Sequence, residues 1–104
     1  FDTAVRHRLP LVVVIANDAG WGEVRDGQRK RYGNERVLGT NLAPTRYDEL
    51  AKALGGHGEL VSSVDQIAPA LERCLKLDKP SIINVLTDRD QRSLLVTGMP
   101  WPIE

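Results

Sequence analysis

A chain of 104 residues, 41% apolar and 27% charged, is long enough for one compact core, too short for two ordinary domains, and too apolar for a disordered tail. Fourteen basic and fourteen acidic side chains cancel, so no overall field draws the chain to nucleic acid or to an anionic membrane surface. A lone cysteine, Cys74, excludes an internal disulfide and fits the cytoplasm, and the longest apolar run, 9–16, is far short of the roughly 20 residues of a membrane helix. The chain opens at Phe1 with neither an initiator methionine nor a secretory leader, as expected of a cut inside a longer protein.

In chain order, residues 1–7 read as the end of a helix, and Leu9-Pro10 forces extended backbone after it. Residues 11–15, LVVVI, form a continuous β-branched run, the pattern of a strand buried on both faces of a parallel sheet. Small and turn-forming residues follow, Asn17-Asp18-Ala19-Gly20-Trp21-Gly22, at the carboxyl end of that strand, where open α/β sheets bind ligands. The charged stretch 23–32 suits either a solvated helix or an ordered loop, with Gly27 counting against a rigid helix.

Thr45 is placed to cap a helix with an apolar face of Tyr47, Leu50, Ala51 and Leu54, and Gly55-Gly56 supplies its stop. A short strand over 59–61 precedes Ser63 and Gln66, which have the spacing of a capping box. The helix after it carries Ile67, Leu71, Cys74 and Leu75 on its inner face, with Pro69 near its start. Lys79-Pro80 introduces a mostly apolar strand over 81–86, and from residue 87 the periodicity fades. Strand, loop, helix, strand, helix, strand predicts an α/β fold: a parallel sheet with flanking helices.

The segment 11–25, LVVVIANDAGWGEVR, brings a polar pair from a strand straight into a glycine-bearing turn. By itself, Asn-Asp followed by glycine is a common turn. With its flanks, TAVRHRLPLVVV, LAPTRYDELAKALGGHGE and KPSIINVLTD, it resembles the thiamine-diphosphate-binding domain of acetolactate-synthase-like enzymes, over most of the chain. The family motif opens with Gly-Asp-Gly and closes, after an intervening helix, with an Asn-Asn pair at the end of the next strand, and here that pair reads Asn17-Asp18. The resemblance makes residues 1–104 the C-terminal part of a partial thiamine-diphosphate-binding domain of flavodoxin- or Rossmann-like type. Its Gly-Asp-Gly portion is missing from this stretch, and residues 88–104 form an irregular tail.

Carried over by position, the resemblance implies that Mg²⁺ is held by the Asp18 side chain and the Gly20 backbone carbonyl. The cofactor-binding stretch is Asn17, Asp18, Ala19, Gly20, Trp21 and Gly22. Hard oxygen donors suit Mg²⁺, and Asp18, in place of the more usual asparagine, offers the same oxygen with added charge. Asn17 orients the turn rather than touching the metal. Glu23 is the candidate for influencing proton transfer, and Val24 stands where certain decarboxylases place a glutamate, which argues against a simple pyruvate decarboxylase.

The implied partners are a 2-oxo acid substrate and the pyrimidine-binding domain of a second subunit, in a homodimer or homotetramer. FAD is compatible with a full-length member and leaves no mark on this stretch. The isolated chain is expected to have no turnover. A benzoylformate-type or oxalyl-CoA-type decarboxylase is the enzymatic alternative, and a flavodoxin-like binding module is the non-catalytic one.

Elsewhere the residues read as structural. His7 and His57 lack a second histidine at metal spacing, and Cys74 reads as a small core residue. The cluster Arg25, Arg29, Lys30 and Arg31, matched by Glu23, Asp26 and Glu35, reads as a solvated face or as part of a lid. Trp101, between two prolines, reads equally as an anchor for the tail or as an unpacked end.

Overall fold

The fold was analysed in a computed structural model, which describes residues 1–91. Its elements are α1 (Asp2–Arg6), β1 (Val12–Asn17), α2 (Gly22–Tyr32), a 3₁₀ turn (Asn34–Arg36), α3 (Tyr47–Ala53), β2 (His57–Val61), a second 3₁₀ turn (Val64–Gln66), α4 (Ile67–Leu75) and β3 (Ser81–Leu86). The three strands form one parallel sheet in the order β1-β3-β2, the α/β class that the alternation of elements predicts. The irregular tail and Trp101 fall mainly outside the described residues.

The last strand in the chain is thus the central one, and Ser81, Ile82, Ile83 and Asn84 are all buried. On one face Ile83 packs with Val61, Ala70 and Cys74, flanked by Val12 and Val85, so α4 closes this side. On the other face, α3 lies over β2 and β3 with Ala51 fully buried.

β1 is not buried on both faces as its apolar run suggests. Val13 is 36% and Val14 56% exposed, because β1 is the edge strand here and the helices cover β2 and β3 more than β1. The charged stretch left open between helix and loop is helical over Gly22–Tyr32, and Gly27 is accommodated within it. Gln28 holds this helix to the following loop, accepting from the Leu38 N–H at 2.9 Å and donating to the Leu38 carbonyl at 3.1 Å.

Several local expectations are corrected. Thr45 does not cap α3; the N-cap is Arg46, and the Thr45 hydroxyl donates to the Ala43 carbonyl at 3.4 Å. The buried residues of α3 are Asp48 and Ala51, whereas Leu50 and Leu54 are exposed. In α4 only Ala70 and Cys74 are buried, and Ile67, Leu71 and Leu75 are exposed. Gln66 reaches Ser62 rather than Ser63, accepting the Ser62 N–H at 3.0 Å, so the capping box is displaced by one residue and closes a 3₁₀ turn. β2 begins at His57, two residues earlier than its apolar residues indicate.

The stop of α3 does form at its two glycines. Gly56 N–H donates to Ala51 and Gly55 N–H to Lys52, the paired bonds of a Schellman motif, with Gly55 at φ +91°. Further on, Gly58 lets β2 pass directly beneath α3, since a Cβ there would lie 1.9 Å from the Asp48 carbonyl oxygen. Backbone faces it, so no rotamer change relieves the clash. Gly58→Ala is expected to cost about 3 kcal/mol, the upper end for overpacking; urea denaturation of the complete polypeptide showing a loss below about 1 kcal/mol would contradict this packing.

Candidate functional site

The carboxyl end of β1 is fixed by a buried polar chain. Asn17 Nδ2 donates to Asn84 Oδ1 at 3.1 Å and to the Thr45 carbonyl at 3.0 Å. Asn84 Nδ2 donates in turn to Asp48 Oδ1 at 3.1 Å. Asp48, almost wholly buried, accepts from Arg46 Nε at 2.9 Å and Nη2 at 2.6 Å. The Arg46 guanidinium, opposed by burial and assisted by Asn84, holds the Asp48 carboxyl well below the usual carboxylate range.

From this anchor the chain turns sharply. Asn17 Oδ1 accepts the Ala19 N–H at 3.0 Å, and Asp18 Oδ1 accepts the Gly20 N–H at 2.9 Å. Ala19 sits at φ +49°, a left-handed conformation uncommon for a residue with a side chain. A bridge then pairs Gly20 with Asn41: Trp21 N–H donates to the Thr40 carbonyl and Leu42 N–H to the Ala19 carbonyl, each at 2.8 Å. The Gly20 carbonyl accepts no hydrogen bond among the described residues.

The remaining oxygen of Asp18, Oδ2, accepts from Arg25 Nη2 at 2.9 Å. Arg25 is therefore not on a solvated face: its side chain is 4% exposed, and the same nitrogen also donates to the Arg89 carbonyl at 2.9 Å. Arg29 pairs with Asp26 and Asp90, so the cluster is matched partly by residues outside those expected. Arg89 itself spans the turn, its Nε donating to the Asp18 carbonyl at 3.3 Å and its Nη2 to the Ala19 carbonyl at 3.0 Å.

Of the residues singled out in the sequence, Asn17 is buried, Asp18 to Gly20 and Gly22 are half-buried, and Trp21, Glu23 and Val24 are exposed. A Cβ on Gly22 would lie 2.9 Å from Asp18 Oδ2, and one on Gly20 would lie 3.0 Å from the Thr40 carbonyl. Both positions accept only glycine without displacement. Asn84, Asp48, Arg46, Arg25 and Arg89 support the turn and were not read as site residues. The one available signal is Asn84, a polar residue within the apolar run of the central strand.

A second group of ligand-type side chains, His57, Glu59 and Cys74, lies between β2 and α4, with ligand atoms within 4.8 Å of one another. Glu59 is engaged by Arg73 on α4 and by His57 at 3.1 Å, and Arg73 holds its carboxyl low. Burial pushes the Cys74 thiol up, away from the thiolate that a metal needs. The group is a clamp joining strand to helix.

An α/β domain with a ligand-type turn at the carboxyl end of a strand is the class defined so far. Residues 1–85 match the family described as thiamine pyrophosphate enzyme, C-terminal TPP binding domain. The chain is 47% identical over 89 residues to acetolactate synthase large subunit IlvG of Mycobacterium tuberculosis, covering 85% of this chain and 16% of that protein. It is 35% identical over 94 residues to 2-hydroxyacyl-CoA lyase 2 of Bos taurus, covering 86% and 15%. With sulfoacetaldehyde acetyltransferase of Alcaligenes xylosoxydans xylosoxydans it shares 28% over 92 residues, covering 85% and 15%. The chain belongs to the family of C-terminal TPP-binding domains of thiamine pyrophosphate enzymes, as its sequence pattern indicates, and it spans about a sixth of the length of these relatives.

The buried chain through Asp48 generates a pH prediction. A carboxyl whose folded pKa lies below its unfolded value of about 3.9 contributes stability that is complete above that value and is lost as pH falls through the folded pKa. The stability gap between wild type and Asp48→Asn is therefore expected to be constant from pH 8 to about 5 and to narrow below about pH 4. Denaturation across this range in the complete polypeptide is the check, and a gap that widens on acidification would refute the assignment.

Proposed function

We propose that the turn at residues 17–22 holds the magnesium-bound diphosphate of thiamine diphosphate, in a protein acting on 2-oxo acids by acetolactate-synthase-like carboligation or decarboxylation. The observation that carries this reading is the Asp18 carboxylate at the end of β1 with the Gly20 carbonyl two residues on, which accepts no hydrogen bond among the described residues. Both are hard oxygen donors of the kind Mg²⁺ takes together with phosphate oxygens, and glycine at 20 and 22 keeps side chains away from them. The residues present therefore suit the group.

Bound there, thiamine diphosphate supplies the carbanion stabilisation that bond-making or bond-breaking beside a carbonyl requires. Asn17 holds the turn from behind through Asn84 and Thr45. Asp18 and Gly20 hold the metal, while Ala19, Trp21 and Gly22 complete the surface along the diphosphate. Glu23, exposed in the first turn of α2, is the candidate among the described residues for influencing proton transfer.

The same reading places Gly-Asp-Gly upstream and a pyrimidine-binding domain on a second subunit, in a cytoplasmic homodimer or homotetramer whose isolated fragment is inactive. Family membership speaks for cofactor binding over a flavodoxin-like interaction module. Cleavage of a 2-hydroxyacyl-CoA is the second reading, favoured by relatives of that name at up to 35% identity.

Calorimetric titration of thiamine diphosphate with Mg²⁺ into the complete polypeptide tests the site. Magnesium-dependent binding is expected, weakened about tenfold or more by Asp18→Ala. Binding indifferent to Asp18 would remove the metal from this turn.

A further inference from the structure

Arg25 is held in an arrangement that structural packing alone does not account for. A guanidinium has five N–H donors and no acceptor, and here one nitrogen makes both of its hydrogen bonds, to Asp18 and to the Arg89 carbonyl. Its Nε and Nη1 are buried without a hydrogen-bond partner among the described residues. Buried donors left unpaired and a charge removed from water both oppose folding. Of its two partners, each at 2.9 Å, the Arg89 carbonyl is neutral and the Asp18 carboxylate carries the opposing charge.

The converse does not hold, because Asp18 is positioned without Arg25. Its Oδ1 accepts the Gly20 N–H, and Asn17 ties the preceding residue to Asn84 and Thr45. Only Oδ2 meets Arg25, on the side where Gly22 presents no side chain. The other cation on the turn, Arg89, bonds backbone carbonyls and Asn41 rather than the carboxylate.

We propose that Arg25 is the resident counter-cation of Asp18 and competes with the divalent ion for that carboxylate, so that a guanidinium of the same chain sets how tightly the turn takes its metal. The inference rests on Asp18 as a metal ligand. Removing a unit positive charge at hydrogen-bond distance favours any second cation on the same carboxylate, by the logic that lets a neighbouring charge shift a proton's affinity by one to three orders of magnitude. Arg25 acts through Asp18 and is a positioning residue.

The test is Mn²⁺ alone, without cofactor or turnover, titrated into the complete polypeptide while the free-ion electron paramagnetic resonance signal is followed. Arg25→Met is expected to tighten binding about tenfold or more, and Arg25→Lys, which keeps the charge, to stay within about threefold of wild type. Asp18→Ala should weaken binding in both the wild-type and the Arg25→Met background. Should Arg25→Met fail to fold, Arg25→Gln carries the same expectation. Binding that depends on Asp18 but is unchanged or weaker in Arg25→Met overturns the competition while leaving the metal site standing. Tightening by Arg25→Lys equal to that by Arg25→Met overturns it too, since charge is then not the cause. Absence of any Asp18-dependent binding overturns the metal reading, and this inference with it.

Discussion

The side-chain amide of Asn84 connects the two halves of the structure. It lies in the central strand, wholly buried, where a polar group is tolerated only if hydrogen-bonded. Its oxygen accepts from Asn17 at the end of β1 and its nitrogen donates to Asp48 on α3. Each end is bonded again, Asn17 to the Thr45 carbonyl and Asp48 to Arg46. A slip of one residue of β1 against β3 breaks this chain, because it turns Asn17 to the other face of the sheet. The network therefore positions the turn as well as stabilising the sheet.

That positioning makes the strain at the turn sustainable. A left-handed alanine costs of order 1–3 kcal/mol unless its surroundings over-determine it. Here Ala19 is held through its N–H by Asn17 and through its carbonyl by Leu42 and Arg89. The result is two carboxylate oxygens and one carbonyl gathered on a short stretch of backbone whose anchor is buried. Arg25 neutralises the charge so gathered, while two of its nitrogens find no partner among the described residues. Rigidity at the anchor and an incompletely satisfied cation beside the carboxylate are features of one arrangement.

The alternation of strands and helices was legible because apolar runs, glycine stops and prolines are local signals, and Gly55-Gly56 acts as a Schellman stop just as its sequence suggests. Burial was less legible. LVVVI reads as a two-sided buried strand, yet strand order decides what covers it, and order is not a local property. The helix faces failed for a related reason: α3 buries Asp48 in place of Leu50, since the side facing β3 must satisfy Asn84. Asn17-Asp18 and its glycines were visible as a motif. Arg25 was not, because its charged neighbours suggest a solvated helix and only the fold reveals that residue 25 turns back onto residue 18.

The exposed flank of β1 and the polar framework of the turn follow from the same topology. β1 carries the turn at its end but lies at the edge of the sheet, with α2 held mainly by side-chain bonds rather than by an apolar face against the strands. The apolar core sits under α4, between β2 and β3, away from the turn. Order at the turn thus depends on polar bonds, which are directional and fix orientation, while the core supplies stability at a distance. An apolar edge strand is a surface along which further chain adds readily, and these relatives have about six times the length of the matched stretch. Under the proposed function, any further burial of Asp18 and Arg25 would make the charge balance between them weigh more heavily, since charge interactions strengthen as the local dielectric falls.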